Sequence, residues 1–387
     1  MSLPTLNTES AVRERYSDAA EAREPELCCP VDYNRRYLKV IPDEVIERDY
    51  GCGDPSKYVR EGETVLDLGS GGGKICFIAS QVVGESGSVI GVDMNDEMLA
   101  LARRSQRTVA ERIGYDNIRF CKGKIQDMQI DRDRVDGYLA ENPVDSESAL
   151  QRFESFLAEM RSATPMIPDD SVDVVVSNCV LNLVDSTEKE RLFAEIFRVL
   201  KPGGRAVISD IVSDETVPMH MQQDAKLWSG CISGALQEKD FIDAFIRAGF
   251  QGAEVPVYQS EPWQVVEGIE FRSATVIAYK YPDVPCFEHN EAVMYRGPYS
   301  SVVDDDGHRF DRGVRAAVCR RTFEKMQQEP YAQDFLGISP AEEIAADDAK
   351  PFVCTEAQIE RSPKVTKGGK FTMNVIGDDC CGDTGCC

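Results

Sequence analysis

From residue 64 to residue 212 short apolar runs alternate with amphipathic stretches. That alternation predicts an α/β fold, a mostly parallel sheet with helices on both faces. The runs are 64–69, 88–93, 118–123, 172–178 and 205–212. Between them, 96–113 and 186–200 carry apolar positions at helical spacing. Lys201-Pro202-Gly203-Gly204 stops the second of these, because proline and glycine do not continue a helix. The polar stretch 131–169 keeps Leu150, Phe153, Phe156, Leu157 and Met160 at helical spacing. It is too long for a plain connection and reads as a mostly helical insertion. Four segments follow: a polar helical lead-in with thiols (1–62), the sheet domain (63–252), a small α+β domain (253–345), and a Cys-rich tail without periodicity (346–387), expected to be mobile.

Composition narrows the function. The 387 residues include 67 acidic and 43 basic ones, for a formal net charge of -24. Without a dense Lys/Arg block, neither nucleic acid nor an anionic membrane surface is the expected partner. No apolar run reaches the about 18 residues of a membrane span. The start lacks a basic stretch followed by an apolar one, so a cytoplasmic location and a monomer are expected. Of the 14 cysteines, Cys28–Cys29, Cys380–Cys381 and Cys386–Cys387 are doublets. A disulfide framework is not expected in a cytosolic chain. No facing CxxC pairs exist, and His220, His289 and His308 have no ligand-like spacing, which argues against zinc. The thiols are left as reactive groups, soft-element ligands or buried small hydrophobes.

The first run ends Val65-Leu66-Asp67-Leu68-Gly69-Ser70-Gly71-Gly72-Gly73-Lys74. Glycines here let the backbone turn tightly at the mouth of the sheet and approach a ligand. Asp93 closes the second run, where a carboxylate can accept both hydroxyls of a ribose. The combination resembles the S-adenosylmethionine-dependent class I methyltransferases. That resemblance implies a Rossmann-like fold and a cofactor site made of Asp67, Gly69, Ser70, Gly71, Gly73, Asp93, Met94 and Asn178. It places Asp67 facing the cofactor's cationic amino-acid portion and Ile125-Gln126 at the adenine edge. A dehydrogenase would space its glycines as G-x-G-x-x-G.

The fourth run ends Ser177-Asn178-Cys179, putting a thiol at the same mouth. Cys231 follows the fifth run in Leu227-Trp228-Ser229-Gly230-Cys231-Ile232-Ser233-Gly234, and Cys52 sits in Tyr50-Gly51-Cys52-Gly53, where glycines are expected to leave the sulfur accessible. These motifs, with Leu200-Lys201-Pro202-Gly203-Gly204 and Val12-Arg13-Glu14-Arg15-Tyr16 before Cys28-Cys29, resemble the arsenite S-adenosylmethionine methyltransferases over residues 12–340. Trivalent arsenic is soft and takes thiolate ligands. The resemblance implies Cys52, Cys179 and Cys231 as ligands of the arsenic substrate. It also implies a relay disulfide of Cys28 or Cys29 with Cys52, reset by an external thiol reductant, thioredoxin or glutathione. Gln126 and the long insertion depart from the family pattern. Tyr50 and Trp228 are candidate walls, Cys76 and Cys121 read as buried and inert, and Cys286, Cys319 and Cys354 have no motif around them. The tail doublets are candidate capture thiols. Two alternatives stay open: a class I methyltransferase acting on carbon or oxygen of a small metabolite, and a thiol-rich metalloid binder without turnover.

Overall fold

The computed structural model describes residues 7–21, 31–355 and 357–368. The chain divides into two compact units, Met1–Tyr281 and Pro282–Cys387. The first begins with three helices, α1 (Thr8–Glu21), α2 (Arg35–Leu38) and α3 (Asp43–Glu47). The alternating part follows: β1 (Thr64–Leu68), α4 (Lys74–Val83), β2 (Ser88–Asp93), α5 (Asp96–Ile113) and β3 (Ile118–Lys122). The insertion is two helices, α6 (Arg132–Glu141) and α7 (Glu147–Ala163). Then come β4 (Val172–Asn178), α8 (Lys189–Val199), β5 (Leu200–Ser213), α9 (Met219–Gln222), α10 (Ala225–Ser229), β6 (Leu236–Gln237), α11 (Glu238–Arg247), β7 (Gln251–Tyr258), β8 (Gln264–Val266) and β9 (Ile269–Tyr279).

The sheet runs β3-β2-β1-β4-β5-β9-β7, with β6 added to β5 and β8 to β9. The strands from β3 to β5 are parallel, and β9 turns antiparallel along β5. β1 lies in the middle, covered on both faces, which is why Val65, Leu66 and Leu68 are all apolar. Leu66 and Leu68 join the core beneath α8 and α11, with Leu192 and Phe245. Val65 faces the opposite core, with Phe77 of α4 and Leu101 of α5. Local signals set the helix ends. Asn95 caps α5 by accepting from Met98 N at 2.9 Å, and Gly114 ends it in the left-handed conformation.

The boundary expected after residue 252 moves to Tyr281. β9 pairs with β5 from Arg205↔Tyr279 to Ser213↔Phe271, and β7 pairs with β9, so both belong to the large sheet. Phe271 and Ala274–Tyr279 are buried, as a central strand covered on two faces must be.

The second unit holds β10 (Phe287–Glu288), β11 (Ala292–Tyr295), β12 (Ser301–Val303), β13 (Arg309–Asp311), β14 (Arg315–Ala317), α12 (Arg320–Lys325), β15 (Phe335–Ile338), β16 (Lys350–Pro351) and α13 (Pro363–Thr366). β11 is the middle of a three-stranded sheet, between β14 and β15. Val293, Tyr295, Phe310, Met326 and Phe335 form its core. The expected mobile tail is corrected for residues 346–355 and 357–368. β16 pairs with β10, and the backbone of Ala317 donates to Ile359 O at 2.8 Å. The tail doublets Cys380–Cys381 and Cys386–Cys387 lie outside the described residues. Among the described residues, no helix is long and apolar enough to cross a membrane.

Candidate active site

A cavity of about 350 Å³ opens at the carboxyl ends of β1, β2 and β4. Ligand sites of open α/β sheets form at this edge, because the loops there start helices and leave backbone N–H groups free. Asp67, Gly69, Ser70, Gly71, Asp93, Met94, Ile125, Gln126, Asn178 and Cys179 all line it. Gly73 does not. It caps α4 at φ 91°, and a Cβ there would meet Phe120 at 2.8 Å and Phe77 at 3.0 Å, so its role is close packing.

The acids at the cavity differ in their surroundings. Asp67 is buried under the glycine loop, and burial pushes its carboxyl up to about 8. The Cys76 thiol donates to it at 3.2 Å, which opposes that shift without cancelling it. Asp93 accepts from Gly71 N and Asn95 N, both at 2.8 Å. Burial raises its pKa, and these N–H groups work against that. Gly71 sits at φ 51° with nothing within 4 Å of where a Cβ would be, and the buried Ser70 hydroxyl has no partner among the described residues. Cys121 is buried in β3, away from the cavity lining.

The three thiols of the sequence argument come together. Cys179 follows β4 at φ 64°, and Cys231 follows α10 at φ 62°. Such backbone in residues other than glycine costs on the order of 1–3 kcal/mol and concentrates at functional sites. The Cys52 and Cys179 sulfurs and an Asp210 carboxylate oxygen lie within 4.8 Å of one another. Cys231 Sγ donates to Cys179 O at 3.1 Å, and its thiol hydrogen-bonds that of Cys179. Those bonds to Cys231 and Cys52, followed by burial, hold the Cys179 thiol well above its usual value. Burial raises Cys52. Only Cys179 of the three lines the cavity; Cys52 and Cys231 are packed behind it.

Two expectations are corrected here. Cys52 is 6 % exposed, so its glycines do not open it to solvent. They are needed because a Cβ on Gly51 would fall 2.1 Å from Asn178 Nδ2 and one on Gly53 2.5 Å from Ser209 Oγ. Asn178 borders the cavity, but its amide is committed to the Cys52 loop. Its oxygen accepts from Cys52 N at 2.9 Å and Gly53 N at 3.0 Å, while its nitrogen donates to Gly53 O at 2.8 Å and Tyr33 OH at 3.0 Å. Asn178→Asp sets an oxygen against Gly53 O, a change of about 1–3 kcal/mol. Cys52 is therefore expected to be alkylated about tenfold faster by a maleimide in this variant, since 1.4 kcal/mol is one decade. An unchanged rate would mean that the loop is held by other contacts.

Sequence reasoning missed the place of α1 at the cavity and the buried charges of Asp210 and Lys189. Thr8, Val12 and Tyr16 of α1 line the cavity, and Tyr16 hydrogen-bonds the Cys231 thiol. α1 is fastened by Arg15 Nη1 to Lys226 O (2.9 Å), Lys124 Nζ to Glu9 (2.6 Å) and Ser17 Oγ to Glu97 (3.0 Å). Asp210 accepts from Leu181 N at 2.8 Å and Ile211 N at 2.8 Å, which fixes the turn after Cys179. Burial pushes Asp210 up to about 6 and Lys189 down to about 8. An acid in the middle of the apolar run 205–212 was the available signal. Tyr50 lines the cavity, whereas Trp228 is buried with its indole donating to Leu183 O at 3.1 Å. Cys28 and Cys29 lie outside the described residues.

Comparison with known proteins agrees with the fold. A model described as a methyltransferase domain matches residues 60–164 and 145–249, and a domain of unknown function matches 282–371. The chain is 32 % identical to an arsenite methyltransferase of Aquipseudomonas alcaligenes, over 80 % of this chain and 84 % of the relative. It is 30 % identical to one from Mus musculus, over 79 % of this chain and 74 % of the other. The crystal structure of an arsenic (III) S-adenosylmethionine methyltransferase from Chlamydomonas reinhardtii superposes with a TM-score of 0.54 at 29 % identity, covering 82 % of this chain and 99 % of that one. The fold, the glycine loop with its two acids and this degree of identity lead to one conclusion: the chain belongs to the arsenite methyltransferase family.

Proposed function

We propose that the chain transfers a methyl group from S-adenosylmethionine to trivalent arsenic held by Cys179, Cys231 and Cys52. One observation carries this reading. Cys179 lines the same cavity as Asp67, Gly71 and Asp93, with two further sulfurs directly behind it. The cavity residues suit the cofactor. Asp67 can pair with an amino cation, Asp93 retains acceptor capacity for ribose hydroxyls, and Ser70 offers a hydroxyl without a partner among the described residues. When bound there, S-adenosylmethionine supplies an electrophilic methyl carbon on a sulfonium.

The raised thiol pKa values are compatible with binding. Arsenous acid is neutral, and each thiol that condenses with it releases one water and no net proton. Three sulfurs leave a lone pair on arsenic, so the nucleophile loses no proton and no general base is required. The residues contribute alignment, which is where proximity catalysis is large. Asp210 and Asn178 act as positioning residues, fixing the Cys179 turn and the Cys52 loop.

Methylation takes arsenic to the pentavalent state. Closure of a disulfide between Cys52 and Cys28 or Cys29 supplies the two electrons that return it to trivalency. Thioredoxin or glutathione then reopens the disulfide by thiol exchange. Purified protein with arsenite, S-adenosylmethionine and a thiol reductant is expected to yield methylated arsenic, resolved by chromatography with elemental detection. Cofactor binding without any methylated arsenic would discard the substrate.

Asp67 gives an independent prediction. Its carboxyl titrates at about 8 and is largely protonated near neutrality. A cation beside it favours the charged form and lowers that value, so binding should release a proton at about pH 7 and little at about pH 9. Calorimetry in buffers of different ionisation enthalpy reads the release, and Asp67→Asn should abolish it. Release that persists in Asp67→Asn would assign the proton elsewhere.

A further inference from the structure

Three cysteines in the second unit, each without any motif around it, converge in space. Cys286 immediately precedes β10, Cys354 lies just beyond β16, and Cys319 is the N-cap of α12. The β10–β16 ladder, Phe287↔Pro351 and Glu288↔Lys350, brings the first two together, and Phe352 N donates to Cys286 O at 2.9 Å. Cys354 Sγ is 3.2 Å from Cys286 Sγ, and all three sulfurs lie within 4.8 Å of one another. No carboxylate or imidazole completes the group among the described residues. Cys319 is fully buried, while Cys286 and Cys354 are half-buried. A small cavity borders Cys319 and Cys354.

We propose that Cys286, Cys319 and Cys354 form a second, non-catalytic site that takes one trivalent arsenic as a three-sulfur adduct. Three sulfurs with no fourth ligand suit a pyramidal centre bearing a lone pair. Structural zinc instead takes four ligands in a tetrahedron. Binding balances without redox chemistry. Three S–H and three As–O bonds break, three As–S bonds form, and the thiol protons leave with the hydroxides as three waters. The product carries no charge, so a largely buried pocket does not oppose it. The sulfurs are already placed: Thr322 N donates to Cys319 Sγ at 3.4 Å, and Arg321 lies within electrostatic reach of all three. The choice of arsenic among thiophilic centres rests on the proposed substrate; the convergence of the three thiols does not.

The test uses the full chain under a non-thiol reductant. Arsenite is added in steps, excess is removed by gel filtration, and arsenic per chain is measured by elemental mass spectrometry. Residue-resolved maleimide labelling is run in parallel. Bound arsenite should protect the half-buried Cys286 and Cys354 together in the wild-type protein, whether or not methyl transfer occurs, while the fully buried Cys319 is read by the arsenic its variant retains. Each of Cys286→Ser, Cys319→Ser and Cys354→Ser should lower the retained arsenic by one per chain, with methyl transfer at saturating arsenite unchanged. Cys286→Ser and Cys354→Ser keep the test valid if the buried Cys319→Ser does not fold. The proposal fails if arsenite leaves Cys286 and Cys354 open to labelling, or if the variants bind as much arsenic as the wild type. It fails equally if the purified protein carries stoichiometric zinc at this cluster. Loss of methyl transfer with normal protection would overturn the proposed function and leave this site standing.

Discussion

Cys179→Ser is expected to bind S-adenosylmethionine as the wild type does and to lose methyl transfer to arsenic by on the order of a thousandfold or more. An arsenic no longer held beside the methyl donor forfeits a proximity advantage that reaches far larger values in intramolecular models. Serine keeps the side chain's shape but replaces a soft donor with a hard one. It also inherits the same left-handed backbone at φ 64°, so the strain is common to both proteins and the fold should be unaffected. Cys231→Ser should lose activity as well, because its sulfur stands directly against the Cys179 carbonyl at 3.1 Å. Cofactor affinity by calorimetry and arsenic speciation by chromatography separate the two halves of this prediction. Turnover surviving in both variants would move the chemistry to carbon or oxygen of a metabolite and reduce the thiols to packing.

The glycine loop, Asp67, Asp93 and Cys179 were legible because each depends on short-range pattern. An apolar run ends, a turn residue follows, and the residue at the junction faces the mouth of the sheet. The same logic placed the five parallel strands. It failed where pairing is long-range. Pattern alone puts a domain boundary after residue 252, since nothing local reveals that the segment ending at Tyr279 runs antiparallel along β5. The glycines flanking Cys52 suggest an accessible sulfur, whereas contact with Asn178 and Ser209 decides them. Cys286, Cys319 and Cys354 share no spacing, and only the β10–β16 ladder and the start of α12 bring them together. α1 was recognised as helical, but its position over the cavity depends on Arg15, Glu9 and Ser17 reaching distant partners.

Asp210 and Lys189 show why the packing behind such a cavity includes groups no motif announces. Cys179 cannot hold its backbone conformation alone, so the turn behind it is tied to a buried carboxylate that accepts from Leu181 and Ile211. Burial raises that carboxylate, and the backbone N–H of Ile211 followed by the charge of Lys189 on α8 works against the rise. The chain of dependence runs from thiol to turn to acid to lysine, each link demanded by the one before.

Gly71→Leu is expected to weaken S-adenosylmethionine binding by more than about 100-fold, or about 2.7 kcal/mol. Two effects enter that number, and a second glycine separates them. Gly71 at φ 51° and Gly114 at φ 92° both occupy backbone that L-residues avoid, and both have open space where a Cβ would go. Either substitution should therefore cost roughly 1–2 kcal/mol of folding stability from backbone strain alone. Gly114 ends α5 and has no place in the cavity lining, while Gly71 opens directly into it, with its N–H on Asp93 at 2.8 Å. A leucine at 114 adds its side chain to space outside the cavity; at 71 it occupies the space the cofactor needs. The two variants should melt at similarly lowered temperatures, and only the Gly71 variant should lose the cofactor. Equal loss of binding in both would assign the effect to global destabilisation, and tight binding in Gly71→Leu would mean that the cofactor approaches the sheet along another edge of the cavity.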